Sequence, residues 1–271
     1  MNGQGRRAQL YTLVACLLLG LATVGAAVAI LRFADGERAR EVAAWRARLG
    51  IVADSRLAQA QGWLDAQLGE MRALAENQSV QIYMTELDLA QGSRAAVTDE
   101  PAQIGYLRNL LVVTAERAGF GNAGGGAGVG ANVRRTGSGG IALFDARDGV
   151  LASTPEMPPI DETMRQRLTA APRNRPVVID AFKGASGQPT IGFLAPVFAV
   201  QSDPGTSQRI GYVLGLRELG DPFFRLLKQP GAVDATAEAV VLRRSGNTVE
   251  YLTPHGDIAA LDRSAPANAG D

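Results

Sequence analysis

The second half of the chain contains a group of side chains that could bind a small charged ligand. Three arginines of this group could bind a carboxylate, because the planar guanidinium group matches a carboxylate through two parallel hydrogen bonds. The aspartate could pair with an amine, and the two aromatic rings could form pocket walls or face a cation. We predict a ligand-binding site formed by these six residues: Arg167, Arg173, Arg175, Asp180, Phe182 and Tyr212. The alternatives are solvated surface positions for the arginines and ordinary packing for the tyrosine.

Residues that could perform catalysis are poorly placed. The single histidine, His255, lies between a proline and a glycine, and histidine is the usual proton carrier near neutral pH and a common metal ligand. Ser153 and Ser186 have no histidine near them in the sequence. We therefore expect no enzymatic activity of this chain, no metal and no cofactor.

Several helices and strands must position the predicted site. The first is a long helix predicted over residues 38–76, a stretch rich in helix formers and free of proline. Its apolar residues recur every three or four positions, and this pattern changes phase at residues 53–56. Such a shift suits a helix that first leaves a membrane and then packs on its own domain. Shorter helices are predicted over 79–90 and over 101–118, the second with Pro101 in its first turn.

After residue 140 the pattern changes to short apolar runs between turn residues, which indicates an antiparallel sheet. The predicted strands cover residues 141–144, 150–152, 177–182, 190–200 and 209–217. A helix over 161–171, capped by Asp161, and a helix over 221–229 complete this part. The fold class is α+β, with a long helix on one face of about five strands and the segment 155–190 closing a ligand pocket on the other.

A glycine-rich segment separates the helices from the strands. Residues 119–140 contain ten glycines, and such a chain loses much conformational entropy if it becomes ordered. We predict a flexible surface loop. The glycines at 124–128 do not indicate a phosphate-binding loop, because no strand precedes them and no Gly-Lys-Ser/Thr follows.

Near the N-terminus, Leu10–Leu31 carries no charged residue and is long enough, at about 1.5 Å per residue, to span about 30 Å of hydrocarbon. Arg6 and Arg7 place the tail of residues 1–9 in the cytoplasm and the rest of the chain outside. Small residues four apart, Ala22 with Ala26 and Gly25 with Ala29, would let two such helices approach closely. The alternative is a signal peptide cleaved after residue 29.

Composition excludes one class of partner. The chain of 271 residues has 27 basic and 27 acidic side chains, whereas nucleic-acid binding needs a basic surplus. Cys16 is the single cysteine, so no disulfide can form within the chain. We expect no nucleic-acid partner.

The order of these motifs resembles the Cache domain, a PAS-like extracytoplasmic sensor of bacterial transmembrane receptors. The resemblance rests on a membrane helix running into a long helix and on three segments at residues 140–154, 187–198 and 209–216. Amino-acid-binding members of that family share a tyrosine, arginine and tryptophan series before the central strands, and residues 157–176 contain neither tyrosine nor tryptophan. The resemblance therefore implies a sensor module over 141–230, with a ligand of another type.

A weak internal repeat extends the resemblance. Residues 238–254 repeat the layout of residues 140–155, with an apolar strand, a polar turn containing glycine, a second strand and Thr-Pro. The double form of the family has a second, membrane-proximal module, and we predict that residues 236–271 begin such a module without completing it. No strand pattern follows the second hairpin.

Together these observations predict a receptor region of the bacterial inner membrane that crosses it once, dimerises through its membrane and stalk helices and holds its sensor in the periplasm or outside the cell. It would bind a small ligand, such as a carboxylate, and relay this event to a sensor kinase, diguanylate cyclase or chemoreceptor output, as in two-component signal transduction. The alternatives are a bitopic envelope scaffold that binds another protein and a secreted enzyme released by cleavage.

Overall fold

A computed structural model describes residues 3–91, 101–121, 137–200, 208–228, 239–245, 248–253, 260–261 and 263–266. These residues divide into two compact units, one containing residues 3–55 and the other containing the described residues from Arg56 onward.

The first unit is formed by helix α1, which spans Gly3–Ala75 and continues into the second unit. It includes most of the tail predicted over residues 1–9. Large apolar side chains between Leu17 and Phe33 are highly exposed. Among the described residues, α1 is the one helix long and apolar enough to cross a membrane. Its exposed apolar surface is that of a candidate single-pass membrane anchor.

Among the described side chains of α1, the first buried one is Arg56, which is also the first residue of the second unit and lies at the predicted phase shift. The last turns of α1 place Met71 and Leu74 in the core together with helix α2, Gln78–Gln91, and helix α3, Ala102–Ala118. Pro101 is the N-cap of α3 and not, as predicted, a residue of its first turn. Its ψ of 137° is extended, so the chain turns into the helix one residue later than expected.

An antiparallel sheet of five strands occupies the centre of the second unit. Its strands are β1 Gly140–Asp145, β2 Val150–Ser153, β3 Val177–Lys183, β4 Pro189–Phe198 and β5 Arg209–Glu218, in the spatial order β2-β1-β5-β4-β3. The predicted α+β layout of a long helix and an antiparallel five-stranded sheet is confirmed.

Both faces of this sheet are covered, which explains why β4 and β5 are buried along nearly their whole length. Helices α1, α2 and α3 pack on one face, as does Phe223 of helix α5, Asp221–Lys228. Gly215 makes this close packing possible, because a Cβ there would lie 2.6 Å from Met71 Sδ. Helix α4, Glu162–Ala170, covers the other face.

Local capping residues fix the connections. Asp161 caps α4 as predicted, its carboxylate accepting a hydrogen bond of 2.7 Å from the Met164 amide. In the β1–β2 turn, Asp145 accepts hydrogen bonds from the amides of Arg147 and Gly149. Asp148 takes a positive φ of 68° in this turn, a conformation that aspartate tolerates better than most residues.

The glycine-rich segment is not a surface loop at its ends. Phe120 is 1% exposed and packs in the core, and Gly140 already belongs to β1. The prediction of a flexible loop over 119–140 was wrong there, because an aromatic side chain and close backbone packing anchor both ends. Residues 122–136, including the glycines at 124–128, lie outside the described residues.

A second antiparallel sheet contains β6 Leu242–Ser245, β7 Thr248–Tyr251 and β8 Arg263–Pro266. The hairpin β6–β7 follows the predicted repeat, but the expectation that no strand follows it was wrong. Backbone pairing with β7 stabilises β8 although its sequence, with a proline and small residues, has little strand character.

The repeat has a structural signature at its two threonines. Thr154 Oγ1 accepts a hydrogen bond of 3.1 Å from the Ile141 amide, and Thr253 Oγ1 accepts one of 3.0 Å from the Val241 amide. The backbone bonds beside these threonines differ by one residue, since Thr154 N itself donates to Ile141 O, whereas Leu252 N, one residue before Thr253, donates to Val241 O. The two hairpins therefore share the threonine hydroxyl contact but not the backbone register beside it.

Candidate functional site

A charged cleft of about 450 Å³ lies between β3, α4 and the second sheet. Its size falls within the range of small-molecule sites, roughly 300–1,000 Å³. The lining includes three of the six predicted site residues, Arg167, Asp180 and Phe182. The other lining residues are Ala181, Lys183, Arg243, Arg244, Glu250 and Leu261.

Arg243 lines this cleft and belongs to a network that joins the two sheets. Its guanidinium lies 2.7 Å from the Asp180 carboxylate on β3 and 2.5 Å from the Glu250 carboxylate on β7. It also donates a hydrogen bond of 2.8 Å to the Ala181 carbonyl. Burial lowers the pKa of Arg243, but hydrogen bonds and charges from Glu250 and Asp180 outweigh burial and raise it above its ordinary value. Arg243 is thus a permanent cation that forms ion pairs with two carboxylates.

Arg167 is the cation of the cleft with unused hydrogen-bonding capacity. It lies on α4, and its guanidinium carbon is 5.1 Å from the centre of the Phe182 ring. Its Nε is buried and has no hydrogen-bond partner among the described residues. Burying a polar N–H without a partner costs free energy.

The charges of the lining favour an anion. Four basic residues, Arg167, Lys183, Arg243 and Arg244, face two acidic ones, Asp180 and Glu250. Both acidic groups pair with Arg243, and the lining as a whole carries a positive surplus of two. Such a cleft attracts a small anion such as a carboxylate.

Tyr212 lies elsewhere, in the packed face beneath α4. It is 3% exposed, and its ring stacks on that of Phe144 with 4.6 Å between centroids. Met164 and Leu168 of α4 belong to the same apolar cluster. The open pocket predicted on this face is therefore filled by side chains, because α4 presents large apolar residues to the sheet.

The hydroxyl of Tyr212 meets no group at hydrogen-bond geometry among the described residues. Burial, with a smaller contribution from the Asp148 charge, raises the pKa of Tyr212 well above its ordinary value, although Arg173 and Arg209 oppose this. Arg209 Nη1 is also buried without a hydrogen-bond partner among those residues. The tyrosine is accordingly a neutral, packed group.

The two remaining predicted residues do not reach the cleft. Arg173 pairs with Asp148 at 2.8 Å, with its guanidinium carbon 5.9 Å from the Tyr212 ring centre. Arg175 is exposed to solvent. The structure thus brings together Arg167, Asp180 and Phe182 in one place and Arg173 and Tyr212 in another.

The residues that sequence reasoning missed come from the second hairpin, which was interpreted as the start of another module. Arg243 and Glu250 are direct partners in the β6–β7 register. A register built from the turn at residues 246–247 would have paired these opposite charges across the hairpin, where such pairs are favourable. Lys183 and Arg244 also line the cleft, because it lies between β3 and the second sheet. Among the described residues, no group of three potential metal ligands is present.

Comparisons with known proteins assign no family. No protein-family model matches the chain, and no curated protein is significantly similar to it. Among solved structures, an extracellular ligand binding receptor from Desulfohalobium retbaense DSM5692 aligns with 63% of this chain at 16% identity and a TM-score of 0.29. The alignment covers 27% of that receptor, so this chain spans about a quarter of its length. A likeness this distant carries no argument about ligand or activity.

Proposed function

We propose that this chain is the membrane-anchored sensor region of a bacterial receptor and that its cleft binds a small carboxylate. The observation that carries the proposal is the surplus of positive charge in a cleft that Arg167 and Lys183 line. A carboxylate bound there would be attracted by the charges of both Arg167 and Lys183. Asp180 contributes indirectly, since it holds Arg243 in place.

A physical connection between the cleft and helix α1 supports a signalling role. Strand β3 of the cleft pairs with β4, whose Phe193 ring lies 6.2 Å from the ring of Trp63 on α1. Strand β5 carries Arg217, which donates hydrogen bonds to Gln67 on α1 and to the Ala118 carbonyl. Binding energy that differs between two positions of the sheet would thereby displace α1 relative to the membrane.

The anchor and its orientation complete the proposal. The exposed apolar surface of α1 supports membrane insertion, and Arg6 with Arg7 supports a cytoplasmic N-terminus. The sensor unit would then face the periplasm, and the signal would reach a cytoplasmic output domain of the kinase, cyclase or chemoreceptor type.

Thermal unfolding of the full chain in lipid nanodiscs tests ligand binding. Tryptophan fluorescence reports on the second unit through Trp63, and the probes are succinate, acetate, cadaverine and adenosine. A carboxylate at one hundred times its Kd would stabilise the folded state by about 2.7 kcal/mol, which raises the unfolding temperature by about 5–10 °C. We expect this shift with succinate or acetate and not with cadaverine or adenosine.

A matched pair of variants locates the site. Arg167→Gln removes the cation with the unused donor, whereas Arg165→Gln removes an exposed cation whose nearest acidic partner, Glu162, is 3.9 Å away. The carboxylate shift should disappear in Arg167→Gln and persist in Arg165→Gln. No shift with either carboxylate, or an equal shift in both variants, would contradict the proposal and favour a protein-binding scaffold.

A further inference from the structure

Strand β3 is an edge strand of the five-stranded sheet, and its pairing with β4 is interrupted near its middle. The register shifts between Ile179 and Phe182. Asp180 and Ala181 therefore lie together opposite a single residue of β4, which is the arrangement of a β-bulge. A bulge re-aims side chains and leaves backbone groups without a partner in the ladder. This bulge is the place at which the second sheet contacts β3.

Arg243 of β6 is the residue that contacts the bulge. Its Nη1 lies 2.7 Å from Asp180 Oδ2 and donates a hydrogen bond of 2.8 Å to the Ala181 carbonyl oxygen. Its Nε and Nη2 donate to Glu250 Oε2 on β7, at 3.0 and 2.5 Å. Glu250 is 8% exposed and directly opposite Arg243 in the hairpin, so the second sheet itself orients the guanidinium toward β3. We call the contacts of Arg243 with Asp180 and Ala181 the clasp.

The clasp joins two sheets that share no strand pairing in the part of the chain that the structure describes. Three apolar side chains next to β6 and β7 also pack on the core, and they stay half-buried: Ala239, Val241 and Leu252. The Asp180 side chain is 66% exposed. Partly solvated contacts of this kind stabilise less than strand pairing inside a core. The second sheet can therefore separate from β3 while both sheets keep their own hydrogen bonds.

Separation of the second sheet would remove half of the cleft. Four of the nine lining residues come from β6, β7 and the segment before β8, and Arg244 is one of them. Lys183 lies on the opposite wall, on β3. A carboxylate between Lys183 and Arg244 would attract both walls at once, so anion binding and docking of the second sheet would favour each other.

We propose that the second sheet is a lid over the cleft, that the clasp holds this lid closed, and that a bound anion shifts the protein toward the closed state. This inference rests on the proposed function, because it assigns the regulation of the same site. It also explains why an acidic residue lines a cleft with a positive surplus. By its charge alone Asp180 would oppose an anion, whereas through the clasp it favours binding.

Amide hydrogen exchange of the full chain in nanodiscs, without ligand, tests the clasp. Asp180→Ala removes its carboxylate, and Glu162→Gln is the matched control because it removes an exposed carboxylate on α4 that lies 3.9 Å from Arg165. Strands β6 and β7 should exchange about three to ten times faster in Asp180→Ala, the factor that loss of one partly solvated, charge-assisted hydrogen bond corresponds to. Asp180→Glu, which keeps the carboxylate, should restore slow exchange.

Exchange in β5 separates the clasp from a general loss of stability. It should be the same in all variants, since β5 lies inside the first sheet. Equal exchange of β6 and β7 in Asp180→Ala and Glu162→Gln would overturn the clasp. Faster exchange in β5 as well would assign Asp180 to the stability of the whole unit and would also overturn it.

Titration of the same proteins with succinate tests the lid. A less populated closed state weakens the apparent affinity, so Asp180→Ala should bind succinate more weakly than wild type, by up to the same factor of about three to ten. Removal of a negative charge alone predicts tighter binding. Tighter or unchanged binding in Asp180→Ala would therefore overturn the lid. If wild type shows no response to succinate, the proposed function fails and the lid's role in binding with it, while faster exchange in ligand-free Asp180→Ala would still establish the clasp.

Discussion

Replacing Arg217 by methionine should destabilise the second unit substantially, because this side chain fastens α1 to the sheet. Its Nη1 donates hydrogen bonds of 2.5 Å to Gln67 Oε1 and 2.9 Å to the Ala118 carbonyl oxygen. Its guanidinium carbon lies 5.1 Å from the Trp63 ring centre. Gly119, with φ of 73°, leaves room for it, since a Cβ there would lie 3.0 Å from Arg217 Nη2.

The expected magnitude follows from these contacts. Hydrogen bonds to a charged group contribute about 1.5–3 kcal/mol each, and a desolvated cation–π contact contributes up to about 2 kcal/mol. Burial, which lowers the pKa of Arg217, shows that desolvation of the guanidinium offsets part of this gain. Arg217→Met also leaves the buried Gln67 without this donor. We expect a net loss of about 3 kcal/mol, which lowers the unfolding temperature by about 6–12 °C.

The assay is thermal unfolding of the full chain in nanodiscs, followed by tryptophan fluorescence, because Trp63 contacts the replaced side chain. Arg117→Met is the matched control, since Arg117 forms an exposed ion pair with Glu70 at 3.0 Å. Exposed pairs contribute about 0–1 kcal/mol, so the control should shift unfolding by a few degrees at most. Equal shifts in the two variants would refute the role assigned to Arg217.

Three smaller predictions concern single side chains. Thr253→Val removes the acceptor for the Val241 amide and should cost about 1 kcal/mol, as should Thr154→Val in the first hairpin. Thermal unfolding that shows no loss would contradict the role assigned to these two hydroxyls. Tyr212→Phe removes a hydroxyl without a described partner, so stability at pH 7 should be unchanged or higher, and a loss above about 1 kcal/mol in denaturant titration would reveal a missed hydrogen bond. Because the pKa of Tyr212 is raised in the folded state, its contribution to stability is complete below about pH 10 and falls above it, where unfolded tyrosine ionises; Tyr212→Phe should reduce this alkaline loss of stability. Gly215→Ala should destabilise by about 1–3 kcal/mol, since the new Cβ would meet Met71 Sδ, and calorimetry would detect it.

Most of the helices and strands could be predicted because they have a local signal in the sequence. Asp161 begins α4, and period-two or continuous apolar runs mark the strands. The phase shift of α1 at residues 53–56 coincides with the first buried residue, Arg56, since apolar spacing follows the surface that a helix faces. Strand β8 escaped prediction because pairing with β7, and not its own sequence, stabilises it.

The site was less accessible to sequence reasoning. Arg167, Asp180 and Phe182 were chosen for their chemistry, but their neighbours Arg243 and Glu250 are more than sixty residues away along the chain. Met164 and Leu168 of α4 fill the face of the sheet on which the pocket was predicted. How completely side chains fill such a space is a packing property that residue types alone do not determine. The cleft formed instead where the second sheet meets β3.

The most direct test of the sensor account is amide hydrogen exchange of the full chain in nanodiscs, with and without succinate. The account predicts slower exchange in two segments that flank the cleft, β3 (residues 177–183) and the paired strands β6 and β7 (residues 242–245 and 248–251), together with altered exchange in residues 56–75 of α1. Protection at the cleft with no change in α1 would contradict signalling through that helix. Unchanged exchange in all three segments at saturating succinate would contradict the binding of this carboxylate and, with it, the central claim.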